Sequence, residues 1–112
     1  MAQKPGVLQG TLDLMVLTTL EAMGPLHGYA IARRIEQVSE HALALNQGTL
    51  YPALVRLEQR GWIQSAEGVS DTGRRIRLYR LTAAGGRQLR AEAENWQRAS
   101  DIIAKFLEVN HA

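Results

Sequence analysis

An apolar stripe through the C-terminal part of the chain restricts the possible folds more than any other feature of the sequence. Its members are Leu89, Ala93, Trp96, Ile103 and Leu107, and together with Ser100 they recur at three- and four-residue steps. This spacing predicts one helix from its N-cap Thr82 to Asn110, which at about 1.5 Å per residue would be roughly 43 Å long. The rest of a 112-residue chain cannot cover so long a stripe. A second copy of the chain is the simplest cover, and the five stripe residues are the predicted dimer interface.

Three shorter helices are predicted in the first half of the chain. Apolar residues at helical spacing predict a nearly all-apolar helix over residues 10–23. A glycine and a proline then stop it, and an amphipathic second helix is expected to start near Leu26. The third helix follows Asn46, a good N-cap, and stops at Gly61. Because 46% of the residues are hydrophobic, these helices can enclose a small core.

The pattern then changes from helical to strand-like. Trp62–Glu67 and Ile76–Leu81, separated by a turn-rich loop, predict a β-hairpin. The expected fold is mainly α with a small β-hairpin, and three helices followed by a hairpin are the order of a winged helix-turn-helix. We expect residues 1–81 to form this unit. Residues 82–112 would form a C-terminal dimerisation helix that packs against residues 8–23 of the partner.

Positive charge is concentrated in and around the predicted hairpin. The formal net charge is +2, but residues 61–90 hold six arginines against Glu67 and Asp71. The residues before this segment are balanced in charge, and those after it are acidic. A basic block of this kind is typical of a protein that binds the phosphates of a nucleic acid with one face. Double-stranded nucleic acid is therefore the leading candidate partner. Arginines in a run can also simply form a solvated face.

Four short sequence blocks follow one another along the chain. They are Gly24-Pro25-Leu26-His27-Gly28-Tyr29, Gly48-Thr49-Leu50-Tyr51-Pro52-Ala53-Leu54, Arg56-Leu57-Glu58, and Gly73-Arg74-Arg75 with Tyr79-Arg80-Leu81-Thr82. In this order they resemble the PadR family of transcriptional regulators. The resemblance extends from about Leu8 to Leu107, and the short C-terminal part is similar to the subgroup with a single final helix. It implies a homodimeric, ligand-responsive repressor that binds a palindromic DNA operator. One departure is Gly86, beside Gly85, which should cost about 1 kcal/mol of helix stability.

Candidate DNA-binding residues lie on the third helix and on the hairpin. The leucines of the third helix are expected to point inward, and the candidates for its outer face are Gln47, Thr49, Tyr51, Pro52, Val55, Arg56 and Gln59. The hairpin candidates are Gly73, Arg74, Arg75 and Arg77. Side chains such as Arg56 and Gln59 can reach base edges or phosphates. Because strand residues alternate between faces, Arg77 and Arg80 cannot contact the same phosphates, and the hairpin tip is the better site.

The resemblance also implies a ligand pocket. In some relatives a tryptophan at the position of Trp96 lines a pocket at the dimer centre and stacks on flat ligands. The predicted lining residues are Leu8, Leu12, Met15, Trp96, Ala99, Ser100 and Ile103. The small side chains near Trp96 would leave room for a flat apolar or cationic small molecule. The alternative is that Trp96 is simply an aromatic residue of the dimer core.

Several classes of protein are excluded by what the sequence lacks. There is no cysteine, and His27, His41 and His111 do not have the spacing of metal ligands. No nucleophile elbow or phosphate-binding loop is present, so we expect no enzyme, no metal and no cofactor. His27 and Tyr29 are more simply interpreted as a helix-start histidine and a buried aromatic. No apolar segment approaches the roughly 20 residues of a membrane span, and a cytoplasmic protein is expected.

Two other functions stay open from the sequence. A winged helix can act purely as a protein-protein interaction module, with its basic hairpin on an acidic partner. The dimer can instead serve as a small-molecule-binding protein without an operator. Sequence preference on DNA would separate both from a regulator.

Overall fold

The computed structural model describes the backbone of residues 5–111 and the side chains of residues 11–110. The elements are α1 (Pro5–Met23), β1 (Leu26–His27), α2 (Gly28–Val38), α3 (Gln47–Gln59), β2 (Ile63–Val69), β3 (Arg75–Leu81) and α4 (Ala83–His111). This confirms the mainly helical fold with a small hairpin and a long last helix. The order is that of a winged helix, in which the hairpin β2–β3 is the wing.

The second helix begins two residues later than expected, because Leu26 and His27 form a short third strand. They pair antiparallel with Tyr79 and Leu78 of β3, so the sheet order is β1-β3-β2. His27 then caps α2, since its Nδ1 accepts a hydrogen bond from the backbone N–H of Ala30 at 3.0 Å. A two-residue strand has no periodicity of its own and forms only because β3 offers a free edge.

Both predicted ends of the third helix are confirmed. Asn46 is the N-cap, and its Oδ1 accepts the backbone N–H of Thr49 at 2.9 Å. Gly61 stands just after the helix with φ of 77°, a left-handed conformation that glycine adopts without steric cost. The capped helix therefore has a defined length and presents one fixed face.

One hydrophobic core lies between α1, α2, α3 and the sheet. Its largest fully buried side chains are Val16, Leu17, Leu20, Ile31, Leu50, Leu54, Leu57 and Ile63. Burial of each such side chain contributes about 1.5–3 kcal/mol. Leu89 joins this core with 5% of its surface exposed, so the prediction that it faces a partner is wrong. It lies in the first turns of α4, where the helix still packs on its own chain.

Beyond Leu89 the last helix leaves the body of the molecule. Every described residue from Arg90 to Asn110 is exposed, apart from half-buried Ser100. The molecule is 59 Å along its longest axis and only 33 Å along the next. The start of the helix is fixed by Thr82, whose Oγ1 accepts the backbone N–H of Gly85 at 2.9 Å. That capping role agrees with the sequence prediction.

Candidate nucleic-acid interface

One face of α3 packs on the core and leaves the opposite face open. Leu50, Ala53, Leu54 and Leu57 are buried. The exposed candidates are Gln47, Thr49, Tyr51, Pro52 and Gln59, whereas Val55 and Arg56 are half-buried. Five of the seven candidate residues therefore share an open surface about three turns long.

Arg56 does not point freely to the outer face, contrary to the sequence prediction. Its Nη2 donates to Asp13 Oδ1 at 2.5 Å, and its Nε donates to Asp13 Oδ2 at 3.4 Å. The two side chains are only 24% and 20% exposed. The sequence signal for this contact is weak: Asp13 is an acidic residue inside the most apolar run of the chain, and burial there requires a partner.

The tip of the wing is built around a short turn. The backbone N–H of Ser70 donates to the carbonyl of Arg74 at 2.8 Å, and the Arg74 N–H donates to Ser70 Oγ at 3.1 Å. Gly73 has φ of 84°, which a residue with a side chain rarely adopts. This turn places Arg74 at the exposed end of the hairpin.

The wing arginines differ in what holds them. Arg75 pairs with Glu67 at 3.1 Å, but both side chains are more than half exposed, and such a pair contributes little to stability. Arg77 Nη1 donates to Ser65 Oγ at 2.8 Å. Arg80 is on the other face of the sheet and donates to Gln64 Oε1 at 2.8 Å. Among the described residues, Arg74 alone of these four makes no side-chain hydrogen bond or ion pair.

A hydrogen-bond chain joins the wing to α3. Ser65 Oγ accepts from Arg77 and donates to Glu58 Oε2 at 2.6 Å. Glu58 lies near the end of α3, and Arg77 lies on β3. These hydrogen bonds therefore link α3 and the wing, which carry the DNA-binding candidates predicted from the sequence.

The start of α2 adds two residues that the sequence pattern did not indicate. Tyr29 is 61% exposed rather than buried. Arg33 Nη1 donates to its hydroxyl at 3.3 Å, and this hydrogen bond raises the pKa of Arg33. A Cβ placed on Gly28 would lie 3.4 Å from Gln47 Oε1, so the pair is next to the start of α3. The place of Tyr29 at the start of α2 could have indicated such a role, because the first helix of a helix-turn-helix crosses the DNA backbone.

The predicted ligand residues are divided between several places. Trp96, Ala99, Ser100 and Ile103 line one open groove of about 310 Å³ on α4. Met15 lines a separate groove of about 530 Å³ between α1 and α2. Leu12 is buried in the core, so its prediction as a lining residue is wrong, and the side chain of Leu8 lies outside the described residues. Among the described residues, the groove of Trp96 is lined by α4 alone and the groove of Met15 by α1 and α2.

Two other kinds of feature are missing from the described residues. In the part of the chain that the structure describes, no three His, Cys, Asp or Glu side chains are grouped so that they could hold a metal ion. None of the helices in that part is both long and apolar enough to cross a membrane.

Comparisons with known proteins identify relatives of the chain. It is 46% identical over 91 residues to an uncharacterised 37.1 kDa protein of a Streptomyces fradiae transposon, covering 81% of this chain and 24% of that protein. It is 40% identical over 70 residues to the transcriptional regulator Rv3488 of Mycobacterium tuberculosis, covering 62% of this chain and 61% of that one. The chain thus spans less than two thirds of the length of either relative.

Solved structures and a family model agree with these relatives. A transcriptional regulator from Clostridium thermocellum has a TM-score of 0.81 with this chain at 32% identity, covering 90% of this chain and 97% of the other. The model of the PadR-like transcriptional regulators matches residues 16–91, a segment that runs from within α1 to the first turns of α4. The family and this solved structure are transcriptional regulators, which agrees with the expectation of a regulator rather than an enzyme. The chain therefore belongs to the PadR-like family of transcriptional regulators, the family predicted from its four sequence blocks.

Proposed function

We propose that this DNA-binding regulator is a ligand-responsive repressor that binds a palindromic operator as a homodimer. The observation that carries the proposal is the open face of α3 beside a wing whose tip is a free arginine. The face offers hydroxyl and amide groups, which suit base edges and phosphates. The wing offers positive charge, which suits the DNA backbone.

The position of each side chain indicates which part of the DNA it would contact. The first turns of α3 carry Gln47, Thr49 and Tyr51 and would enter the major groove. Arg74 would contact a phosphate beside that groove, and the pair of Tyr29 and Arg33 would contact the backbone on the other side. The Arg75–Glu67 pair is exposed, so a phosphate can replace the carboxylate at small cost.

The exposed part of α4 supports a homodimer. Trp96, Ile103 and Leu107 are each about half exposed, and they follow one another along a single stripe of the helix. An apolar surface of this length on a single copy is typical of an interface. A two-fold pair of chains would present its two α3 helices to half-sites about one DNA turn, roughly 34 Å, apart.

The groove around Trp96 supports response to a small molecule. It has an indole ring and the small side chains of Ala99 and Ser100, which suit a flat apolar or cationic molecule. Such a ligand would release DNA only if it bound the DNA-free arrangement of the dimer more tightly. In a Trp62→Phe variant, where Trp96 is the only tryptophan, we expect quenching by a panel of flat cationic dyes. Unchanged fluorescence across the panel would contradict the ligand site.

Selection from a library of random 30-base-pair duplexes tests operator binding. We expect enrichment of a two-fold symmetric motif with half-sites about 10 base pairs apart. Binding to all duplexes without an enriched motif would favour a protein-protein interaction module with an adventitious affinity for DNA. Binding of a small molecule without any DNA binding would favour a small-molecule-binding dimer.

A further inference from the structure

An ion pair between two helices lies at the border of the candidate interface. Among the described residues there are two ion pairs, and only that of Asp13 and Arg56 connects two helices. Its side chains are 24% and 20% exposed, whereas those of Arg75 and Glu67 are 82% and 66% exposed. Because the Asp13–Arg56 pair is less screened by water, Asp13 holds Arg56 more firmly than Glu67 holds Arg75.

The contact uses one edge of the guanidinium group and leaves another edge available. Asp13 accepts from Nε and Nη2 of Arg56. The Nη1 group and the second N–H of Nη2 are outside this contact and form a fork of two parallel donors. Arg56 follows exposed Pro52 by four residues and precedes exposed Gln59 by three, so it borders the open face of α3. The arginine is thus oriented before any DNA arrives.

The charges indicate which acceptor on DNA suits this fork. Asp13 neutralises Arg56, and a phosphate at the fork would lie within a Debye length of about 8 Å from the Asp13 carboxylate. Repulsion from that carboxylate weakens phosphate binding. The O6 and N7 atoms of guanine carry no net charge and match two parallel donors. A fixed, neutralised arginine is therefore better suited to a guanine than to the DNA backbone.

We propose that Asp13 is a positioning residue that holds Arg56 as the reader of a guanine in each operator half-site. This inference rests on the proposed operator binding. It gives α1 a part in DNA specificity, although Asp13 itself need not contact the duplex. Because Asp13 neutralises Arg56, the arginine would add little to the affinity for DNA that does not depend on sequence.

Selection from random duplexes by matched variants tests this role. Asp13→Asn removes the carboxylate charge, and Asp13→Glu keeps the charge but changes its reach. Arg56→Lys keeps the positive charge but lacks the fork. Glu67→Gln is the control, because it makes the same charge change as Asp13→Asn and frees exposed Arg75 instead. Thermal unfolding monitored by circular dichroism establishes that each variant is folded.

We expect wild type and Glu67→Gln to enrich the same motif. Asp13→Asn, Asp13→Glu and Arg56→Lys should lose the preference for guanine at one position of each half-site, with a roughly 5- to 100-fold loss of discrimination there. Asp13→Asn should also bind unrelated duplexes more tightly, with a salt slope steeper by about 0.9 for each freed arginine. If the pair were merely structural, these substitutions would lower the affinity for all DNA sequences alike and leave the enriched motif unchanged.

The outcomes separate this inference from the proposed function. If wild type enriches a motif and the folded Asp13 or Arg56 variants enrich the same motif unaltered, the positioning role is wrong and operator binding stands. If Asp13→Asn does not fold, Asp13→Glu and Arg56→Lys decide in the same way. If wild type enriches no motif, the proposed function and this inference both fail.

Discussion

Gly85 and Gly86 are neighbours at the start of α4, yet their surroundings differ. A Cβ on Gly85 would overlap the backbone oxygen of Trp62, which no packing allows. At Gly86 the nearest atom outside the local backbone would be 3.8 Å away, an ordinary contact. The absence of a side chain is thus required at Gly85, where α4 passes close to the backbone of Trp62 just before β2. At Gly86 it only costs helix stability.

Alanine substitutions at these two positions should have opposite effects. Gly85→Ala should lower the free energy of unfolding by about 1–3 kcal/mol, because α4 must move away from Trp62. Gly86→Ala should raise it by about 0.5–1 kcal/mol through its higher helix propensity. Urea unfolding of the two variants beside wild type measures both, and each serves as the control for the other. A stabilised Gly85→Ala variant would contradict the close approach.

Tyr79 should make folding sensitive to alkaline pH. It is 5% exposed, and burial raises the pKa of its phenol above the usual value of about 10. A raised pKa means that the unfolded chain ionises first, so this contribution to stability is complete below about pH 10 and is lost above it. Tyr79→Phe cannot ionise and should lose less stability than wild type between about pH 9 and 11. Equal losses in urea unfolding at these pH values would contradict the effect.

At the scale of elements, α3 and the wing are held as one unit. Asp13 of α1 holds one flank of α3 through Arg56. On the opposite flank, Glu58 is joined through Ser65 to Arg77 of β3. The first contact ties α3 to α1, and the second ties α3 to the wing. The position of the wing relative to α3 is therefore held by the contacts of Ser65.

Arg74 and Arg80 form a matched pair for testing the wing. Arg74→Ala should weaken DNA binding and lower the slope of log K against log salt by about 0.9 for each phosphate that is no longer neutralised, or about 1.8 for a dimer. Arg80→Ala removes the same charge from the other face of the sheet and should leave the slope much closer to that of wild type. Fluorescence anisotropy at several salt concentrations measures both slopes. Equal slopes for the two variants would contradict a directed contact at the wing tip.

At the scale of the whole molecule, the projecting half of α4 is the dominant feature. Its apolar side chains include Phe106 and Val109, which are 69% and 74% exposed. A single copy in water would leave this surface exposed at a cost that grows with its area. Assembly of two copies is the direct way to remove it.

A charge on the stripe of α4 should therefore disrupt assembly. Ile103→Glu should raise the dimer dissociation constant at least about 10-fold, because an unpaired carboxylate would be buried. Gln97→Glu adds the same charge on the polar face, where Gln97 contacts Asp101, and should leave the dimer largely intact. Sedimentation velocity at micromolar concentration distinguishes the two. A wild-type chain that sediments as a monomer would contradict the homodimer itself.

Local sequence patterns were sufficient to predict much of this fold. Asn46 and Thr82 were predicted as caps and are caps, because a cap bonds to backbone only three residues away. The helices and the hairpin followed from apolar spacing and turn residues, and the family followed from four short blocks. The exposed face of α3 also followed, since a helix with leucines on one side must turn the other side outward.

The remaining features were decided by contacts between distant parts of the chain. Arg56 meets Asp13 across 43 residues, β1 exists only because β3 lies beside it, and Leu89 is buried by α4 folding back on the core. Periodicity states which side of a helix is apolar but not which neighbour covers it. The sequence alone thus determined the four helices, the hairpin and their apolar faces. The packing of those elements decided the short strand β1 and which arginine is free and which is held.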